Sequence, residues 1–381
     1  MLVGNEQASA AARKEMKGWT MKLSHVLDVA SQYMRAELYA ISSIRRLSDV
    51  HLLWGPVYAR RNLGLGAKFF SLYSLAQVPK RTWPDYLDNE PLKKRYAAVT
   101  SVEARQLADD KIKFFEHCSR HGIATANIVA LITKASPEGS SIPHVLAASD
   151  LARLLVPGEY FVKPSHGSHG KGTFSLSVGE AGLRWSGGNS GSFEDLARYC
   201  EAALQFTRAL IVQPKLVNHP IIKNITQSKG LSTIRVVTIR KAGKIDIIAG
   251  AVRIVVGDSD VDNFSHGASG NLVAGVDVET GEMITAIGSK SRTWPAMQDV
   301  PVHPQSGAAI LGVRVPHWPE VIELVKKAHA SIEGLHTVGW DVAVLENGPV
   351  IVEANWRYDI DILQVAYKKG FKQVIDDKLD C

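Results

Sequence analysis

Apolar residues recur at three- and four-residue steps in several parts of the chain, and each part predicts a helix. The first part covers residues 22–47, where the apolar positions are Leu23, Val26, Leu27, Ala30, Met34, Leu38 and Ile41. A second helix is expected from about 103 to 121, ending before Gly122, a residue suited to a left-handed cap. Further helices are expected at 193–205 and 318–332. Residues 51–100 show no clear period and are expected to be irregular.

Short runs of β-branched and aromatic residues predict strands in the middle and at the end of the chain. They cover residues 160–163, 174–178, 210–213, 233–240, 245–256, 338–345 and 350–353. Ala242-Gly243 and Asn347-Gly348 fall between consecutive runs, and an Asn-Gly pair in such a place is a strong hairpin signal. Helices come first and antiparallel strands mixed with helices follow, so the sequence predicts an α+β fold.

Composition excludes several classes of protein. Of the 381 residues, 45% are hydrophobic and 22% are charged, which are the proportions of a globular protein and not of a disordered one. The three cysteines lie far apart and form neither a disulfide framework nor a zinc-binding spacing. No apolar run is long enough for a transmembrane helix or a signal-peptide core, so we expect a cytoplasmic protein.

Positive charge is concentrated toward the beginning of the chain. Residues 1–120 carry 19 Lys and Arg against 12 Asp and Glu, whereas the other 261 residues carry 25 against 26. This excess favours an anionic partner, such as a nucleotide, an acidic substrate or an anionic membrane surface, and a solvated basic face is the alternative. No aromatic residues interleave with the basic pairs in a nucleic-acid-binding pattern, so no nucleic-acid partner is expected.

A lysine and a glycine-rich turn stand between two predicted strands. Lys163 ends the first strand, and Gly167, Gly170 and Gly172 lie in the turn that follows. Glycines allow backbone N–H groups to approach a phosphate, and a lysine adds a positive charge. The turn does not match the GxxxxGK[ST] pattern, because no helix follows it. An ordinary flexible hairpin loop is the alternative interpretation.

Two carboxylates and an amide come together in the last strand pair. Asp341 lies within one apolar strand, and Glu353 and Asn355 end the other. A hairpin turned at Asn347-Gly348 brings Asp341 and Glu353 onto adjacent strands. Carboxylates clustered among apolar residues repel each other unless a cation joins them, and oxygen ligands of this kind suit Mg²⁺. Surface carboxylates on an edge strand are the alternative.

Other candidate residues also lie in or beside predicted strands. Arg235 and Arg253 are each inside an apolar strand, where an arginine either forms a buried ion pair or points at a ligand. The strand at 210–213 ends at Pro214, and the freed backbone of residues 213–216 could face a purine edge. The isolated histidines, His266, His303 and His329, are expected to be structural and not catalytic.

Taken in order, these motifs resemble the ATP-grasp superfamily. The matching residues are Lys111, Lys163 with its glycine turn, the Gln213 strand end, Arg235, Arg253, Asp341, and Glu353 with Asn355. Within the superfamily, the chain most resembles the sugar-transfer-associated ATP-grasp group, which is related to RimK-type glutamate ligases. The resemblance covers residues 109–361. It implies an ATP-grasp fold, with two α+β subdomains at 106–215 and 216–381 that sandwich ATP, after a mostly helical basic region at 1–105.

The resemblance also implies roles for the matching residues. Phosphate binding is implied for Lys111, Lys163, Gly167, Gly170 and Gly172. An adenine-contacting hinge is implied for Gln213, Pro214, Lys215 and Leu216. Binding of two Mg²⁺ ions, or of Mn²⁺ in their place, is implied for Asp341, Glu353 and Asn355, with Arg235 and Arg253 facing the transferred phosphoryl group. The chain departs from the family pattern at Gln213, where ligases commonly have glutamate, and in the lengthened segment 266–270.

The activity that the resemblance implies is ATP-dependent ligation of a carboxylate to an amine through an acyl phosphate, with release of ADP and phosphate. The expected substrates are a small-molecule or glycan carboxylate and an amine, in polysaccharide or secondary-metabolite biosynthesis, and the protein could form a homo-oligomer. Two alternatives stay open. One is a kinase of the same fold that phosphorylates a sugar hydroxyl, and the other is a non-catalytic nucleotide-binding partner of a glycan-assembly complex.

Overall fold

Two seven-stranded sheets and a helical N-terminal region make up the described part of the chain. A computed structural model describes residues 24–134, 140–145, 148–166, 172–180, 182–185, 188–259 and 261–379. No helix within these ranges is both long and apolar enough to cross a membrane. The structure has the predicted α+β class, with helices first and strands afterwards.

The N-terminal region is helical throughout, so the prediction that residues 51–100 are irregular was wrong. Its elements are helix α1 (24–42), the 3₁₀ helix Leu47–Trp54, α2 (Gly55–Leu63), α3 (Ala67–Leu72), the 3₁₀ helices Leu75–Gln77 and Lys80–Asp85, and α4 (Asn89–Val99). Most of these elements are only two or three turns long, and such short helices leave little apolar period in the sequence. Phe70, Trp83 and Tyr96 anchor them in a core shared with Tyr358 and Phe371.

The helix expected at 103–121 is divided in two. Helix α5 (Val102–Asp109) ends where Asp110 adopts an extended conformation, and α6 (Lys111–Arg120) begins at the next residue. The Asp110 side chain accepts hydrogen bonds from the backbone N–H groups of Ile112 and Lys113 at 3.0 and 3.1 Å. Aspartate therefore caps a new helix here, which places Lys111 in its first turn. Gly122 has φ +59, as predicted for a left-handed cap.

The first sheet lies between residues 130 and 214. Its strands are β1 (Ala130–Thr133), β2 (His144–Val145), β3 (Gly158–Pro164), β4 (Phe174–Gly179), β5 (Gly182–Trp185), β6 (Asn189–Gly191) and β7 (Ala209–Pro214). They are arranged in the order β2-β1-β7-β3-β4-β5-β6. Helices α7 (Ala148–Leu154) and α8 (Phe193–Ala203) contribute Leu151 and Leu196 to the core of this sheet.

The second sheet lies between residues 233 and 355. Its strands are β8 (Thr233–Lys241), β9 (Lys244–Ile254), β10 (Leu272–Val276), β11 (Ile287–Ser289), β12 (Met297–Asp299), β13 (Thr337–Leu345) and β14 (Gly348–Asn355). Their order is β12-β11-β10-β9-β8-β13-β14, and the two hairpins predicted from the sequence, β8–β9 and β13–β14, are confirmed.

Helices cover both faces of the second sheet. The accompanying helices are α9 (Pro220–Thr226), α10 (Trp318–Ser331), α11 (Asp361–Tyr367) and α12 (Lys372–Leu379). Helices α5, α6 and α10 share one core with the sheet, whereas the N-terminal region, α11 and α12 share the other. The boundaries after residues 105 and 215 stay predictions, and α5 and α6 pack with the second sheet.

Candidate active site

Neighbouring strands of the second sheet place charged side chains in one row. Backbone pairing sets Arg235 opposite Asp341, Asp341 opposite Glu353, and Thr233 opposite Arg253. Residues that are directly opposed in antiparallel strands have their side chains on the same face of the sheet. The alternate positions of these strands face the core under α10. The row therefore lies on the face away from α10.

Asp341 is the centre of a buried ion-pair cluster. Arg235 donates from Nε to Oδ1 at 2.6 Å and from Nη2 to Oδ2 at 3.2 Å, and Arg253 Nη2 lies 2.9 Å from Oδ2. Burial alone would raise the pKa of Asp341, but Arg235 and Arg253 outweigh it and lower the pKa below its ordinary value. Asp341 is therefore ionised, and both arginines form the buried ion pairs that the sequence left as an alternative.

A second carboxylate, Asp262, supports Arg253 from the other side. Its Oδ2 lies 3.4 Å from Arg253 Nε and accepts hydrogen bonds from the Thr233 N–H and hydroxyl at 2.7 and 2.6 Å. Burial would lower the pKa of Arg253, but Asp262 and Asp341 outweigh it and raise the pKa. Sequence reasoning gave Asp262 no role, although a charged residue beside Val261 and Phe264 was a signal for one.

Lys163 faces the row from the first sheet. Alternation along β3 turns Tyr160 and Val162 into the core of that sheet, while Phe161 and Lys163 line a cavity between the sheets. Lys163 is only 8% exposed. Burial lowers the pKa of its amine to about 8, with a further contribution from Lys111, and Glu353 only partly offsets these effects. The lysine is thus a buried cation whose charge is incompletely compensated.

Lys111 connects the two sheets at this point. Its Nζ lies 3.1 Å from Glu353 Oε1, and its backbone N–H donates to the Ser165 carbonyl oxygen at 3.3 Å. The first contact reaches the second sheet and the second contact reaches the end of β3. The Asp110 cap fixes the start of α6 and thereby the direction of this lysine.

The predicted hinge residues also lie at the cavity. Gln213, Pro214, Lys215 and Leu216 line it, opposite Val352 of the second sheet. Gln213 Nε2 donates to the Ala126 carbonyl oxygen at 2.9 Å, and the Lys215 N–H donates to the Glu159 carbonyl oxygen at 2.9 Å. The amide nitrogen of Gln213 therefore serves an internal contact, a role that a glutamate could not fill.

The site consists of two adjoining cavities. The smaller one, between the sheets, has a volume of about 180 Å³. The wider one has a volume of about 840 Å³ and takes part of its wall from Lys68 and Lys93 of the N-terminal region. Asp341, Glu353 and Arg253 line both cavities, so the charged row lies where the two meet.

The three predicted metal ligands lie together. Asp341 and Glu353 are paired across β13 and β14, and Asn355 Nδ2 donates to Asp341 Oδ2 at 3.3 Å. Among the described residues, no group of three or more His, Cys, Asp or Glu side chains is arranged to hold a metal ion. Two carboxylates and an amide oxygen nevertheless form a donor set that suits Mg²⁺. The metal assignment of these residues stays a prediction.

The predicted glycine loop is described only at its end. Gly167 and Gly170 lie outside the described residues. Gly172 has φ +74, a conformation that favours glycine, and lies two residues before Phe174, where the next strand begins.

One of the histidines that were expected to be structural lies on the wall of the wider cavity. His266 Nε2 is 2.6 Å from Asp361 Oδ2, and His266 has a left-handed backbone conformation with φ +56. His303 and His329 are fully buried and bonded to backbone oxygen atoms, as a structural role requires. Burial lowers the pKa of His329 to about 4, so this ring is neutral at pH 7.

Two sheets enclose a cavity that is lined by Lys163 from the first sheet, by Asp341 and Glu353 from the second, and by Lys111 of α6. This arrangement defines the class as an ATP-grasp fold. The family model for sugar-transfer-associated ATP-grasp proteins matches residues 92–377, which is most of the chain. The chain belongs to that family.

Solved structures with a similar backbone fold have low sequence identity to this chain. The D-alanine–D-alanine ligase from Helicobacter pylori is 12% identical with a TM-score of 0.40, over 74% of this chain and 60% of that one. D-alanyl-alanine synthetase A from Vibrio cholerae is 13% identical with a TM-score of 0.42, over 74% and 68%. An N5-carboxyaminoimidazole synthase from Aspergillus clavatus, solved with ADP and 5-aminoimidazole ribonucleotide, is 14% identical with a TM-score of 0.39, over 72% and 52%.

The matched part of this chain thus spans between about half and two-thirds of the length of those three structures. Among curated proteins, no sequence matches the chain significantly.

Proposed function

We propose that the protein is an ATP-dependent ligase that joins a carboxylate to an amine and releases ADP and phosphate. The observation that carries the proposal is Lys163, a buried lysine whose pKa falls to about 8 because burial is incompletely offset by Glu353. Such a cation gains stability from a bound anion. Membership in an ATP-grasp family supports the triphosphate of ATP as that anion.

The smaller cavity has walls suited to the two ends of a nucleotide. Phe161, Leu216 and Val352 supply apolar surface for a purine ring, and Lys111 and Lys163 supply positive charge for phosphate groups. We assign the first sheet and the second sheet to the two subdomains, at 106–215 and 216–381, between which the nucleotide binds.

The charged row supplies what phosphoryl transfer requires. A carboxylate is a poor electrophile, and transfer of a phosphoryl group to it creates an acyl phosphate with a good leaving group. This step depends on charge neutralisation and alignment. Arg253 supplies positive charge at the junction of the cavities and Arg235 supplies it in the wider cavity, and Asp341 fixes both guanidinium groups.

We assign a metal ion to the same place, where it would exchange with the contacts that Asp341 makes with Arg235 and Arg253. Asp341, Glu353 and Asn355 would hold Mg²⁺, which neutralises phosphate charge when it is bound.

The wider cavity is the proposed binding place of the carboxylate and the amine. Lys68 and Arg357 line it, and neither forms an ion pair with another described residue. These cations favour an anionic substrate, such as a carboxylate-bearing sugar. His266 and Asp361 lie on the same wall, at a place where a proton released by the attacking amine could be accepted.

The experiment is a screen for acid-dependent ADP release. The protein is incubated with Mg²⁺, ATP and panels of sugar acids or amino acids, first with hydroxylamine and then with biological amines. Hydroxylamine traps an acyl phosphate as a hydroxamate, so it reports carboxylate activation before the natural amine is known. The Glu353→Gln variant is the matched negative control, because it keeps the shape of the side chain and loses its charge.

The outcomes separate the proposal from its alternatives. ADP and hydroxamate that appear only when an acid is present support the ligase. Production of AMP and pyrophosphate contradicts it. A stable phosphorylated sugar that forms without any amine indicates the kinase alternative, and nucleotide binding without ATP consumption under any condition indicates the non-catalytic alternative.

A further inference from the structure

Helix α1 turns its large apolar side chains toward solvent. Val26, Leu27, Met34, Leu38 and Ile41 fall within a sector of about 120° when the helix is projected at 100° per residue. Between 49% and 61% of each side chain is exposed. A helix that served only to cover the body of the protein would turn this sector inward.

The side of α1 that packs against the rest of the protein carries small residues at its buried positions. Ala36 and Ala40 lie outside the apolar sector and are fully buried. Tyr39, next to Ala40, packs edge-on against Phe70 of α3, with ring centroids 6.1 Å apart. The helix is therefore attached through Ala36, Tyr39 and Ala40, and through Arg35, which lies over the Trp294 ring, while its large apolar residues stay about half exposed or more.

The exposed apolar character continues after the helix. Val50, Leu53 and Trp54 are 46%, 42% and 71% exposed. In the described part of the chain, nine of the nineteen large apolar side chains that are exposed lie between residues 26 and 54. We infer that these consecutive exposed residues, 26–54, form one N-terminal apolar face, and large exposed apolar surfaces mark interaction sites.

Exposed arginines accompany the N-terminal apolar face. Arg45 and Arg46 lie three and four residues after the end of α1, and Arg60 and Arg61 lie in α2 after Trp54. Residues 24–81 carry eight Lys and Arg against three Asp and Glu, a net charge of +5.

We propose that this region docks on an anionic lipid surface, with the apolar side chains entering the headgroup layer and the arginines contacting lipid phosphates. Tryptophan and arginine beside a helical apolar stripe are the side chains that favour the membrane–water interface. The exposed arginines after α1 complement an anionic bilayer, whereas α1 itself carries Asp28, Arg35 and Glu37, with Glu37 inside the apolar sector. A symmetric dimer through the same face would instead bring the exposed arginines Arg45, Arg46, Arg60 and Arg61 toward those of a second copy, which opposes self-association. The proposal does not depend on the activity proposed above.

The test is flotation of the full chain with lipid vesicles. Vesicles of phosphatidylcholine alone are compared with vesicles of equal parts phosphatidylcholine and phosphatidylglycerol, at low and high salt. We expect flotation with the anionic vesicles only, and we expect high salt to weaken it. Replacing Arg45 and Arg46 by glutamine should reduce partitioning about fivefold for each arginine. The matched control replaces two exposed arginines elsewhere, Arg120 and Arg314, by glutamine.

The apolar contribution is tested with a second pair of variants. The triple variant Leu27→Glu, Met34→Glu, Leu38→Glu should lose flotation, whereas the control triple Phe206→Glu, Val302→Glu, Leu311→Glu should keep it. All six side chains are exposed, so thermal unfolding should match the parent in both variants.

Several results would overturn the proposal. They are absence of flotation with anionic vesicles, equal flotation of the two triple variants, or flotation only after residues 1–23 are removed. A dimer seen by light scattering that dissociates in the first triple variant would assign the N-terminal apolar face to a second copy of the chain.

Discussion

Replacing Lys163 by methionine should stabilise the free protein and weaken its binding of ATP. Burial lowers the pKa of this lysine from 10.5 to about 8, although Glu353 and Asp341 partly oppose the shift. Each pKa unit corresponds to about 1.4 kcal/mol, so the protonated amine costs the folded state about 3 kcal/mol. Methionine has a similar length and no charge, so the free energy of unfolding at pH 7 should rise by up to about 3 kcal/mol.

The pH dependence identifies the cause of this stabilisation. Between pH 8 and 10.5 the unfolded chain still binds the proton that the folded chain has lost, so the stability of the parent rises with pH in this window. The difference in free energy of unfolding between Lys163→Met and the parent should therefore be largest below pH 8 and small near pH 10.5. Urea denaturation at pH 7 and at the alkaline end of this window measures it, with the exposed Lys113→Met as the control.

The same variant should lose affinity for ATP. Removal of a charge that faces the phosphates should cost about 1.5–3 kcal/mol, or about ten- to a hundredfold in Kd. Isothermal titration calorimetry measures the loss. A variant that is less stable than the parent, that is equally stabilised at both pH values, or that binds ATP normally would refute the reasoning.

Three further variants test other parts of the site. Glu353→Gln should lower turnover by at least about a hundredfold, because it removes a charge at the phosphoryl-transfer centre, and it should leave the fold intact. Near-normal ADP release in excess Mg²⁺ would contradict this prediction. Gln213→Glu should lower the free energy of unfolding by about 1–3 kcal/mol, because it sets a carboxylate against the Ala126 carbonyl oxygen, and an unchanged urea midpoint would count against that hydrogen bond. Gly339→Ala should displace Arg235, because the new Cβ would lie 2.9 Å from Arg235 Cδ and 2.8 Å from Tyr358 Cβ. The free energy of unfolding should fall by about 1–3 kcal/mol, and turnover should fall as well. Parent-like values of both quantities would show that the strand can shift.

Features set by local sequence could be predicted most fully. The turn before Gly348 sets the hairpin and places Asp341 and Glu353 on adjacent strands, as predicted. Their direct pairing also needs a β-bulge between Asp341 and Val342, which the sequence did not reveal. The alternation around Lys163 likewise fixes which face of β3 that residue occupies. Such features depend on neighbours within a few residues, which the sequence displays.

Features that depend on contacts distant in sequence could not be predicted. β8 and β13 are about a hundred residues apart in the chain, and only their pairing brings Arg235 to Asp341. Strand order also decides that Arg253 shares the same carboxylate. The sequence consequently left a buried ion pair and a ligand contact as equal alternatives for these arginines.

Two local signals were misjudged for a physical reason. The charged pair Asp109-Asp110 looked like part of one helix, but the side chain of Asp110 caps the next helix and thereby ends the first. Residues 51–100 lacked a period because their helices are short and are held by aromatic side chains in a shared core, including Trp83 and Tyr96. Tertiary packing, which periodicity does not report, stabilises that region.

The central claim is that the cavity between the two sheets binds ATP at Lys163 and a divalent cation at Asp341 and Glu353. A crystal structure of the protein with Mg²⁺ and a non-hydrolysable ATP analogue tests it most directly. We predict phosphate oxygen atoms within hydrogen-bonding distance of Lys111 and Lys163, and Mg²⁺ between those phosphates and Glu353. A nucleotide bound elsewhere, or a cavity that stays closed by the Lys111–Glu353 ion pair at saturating nucleotide, would contradict the claim.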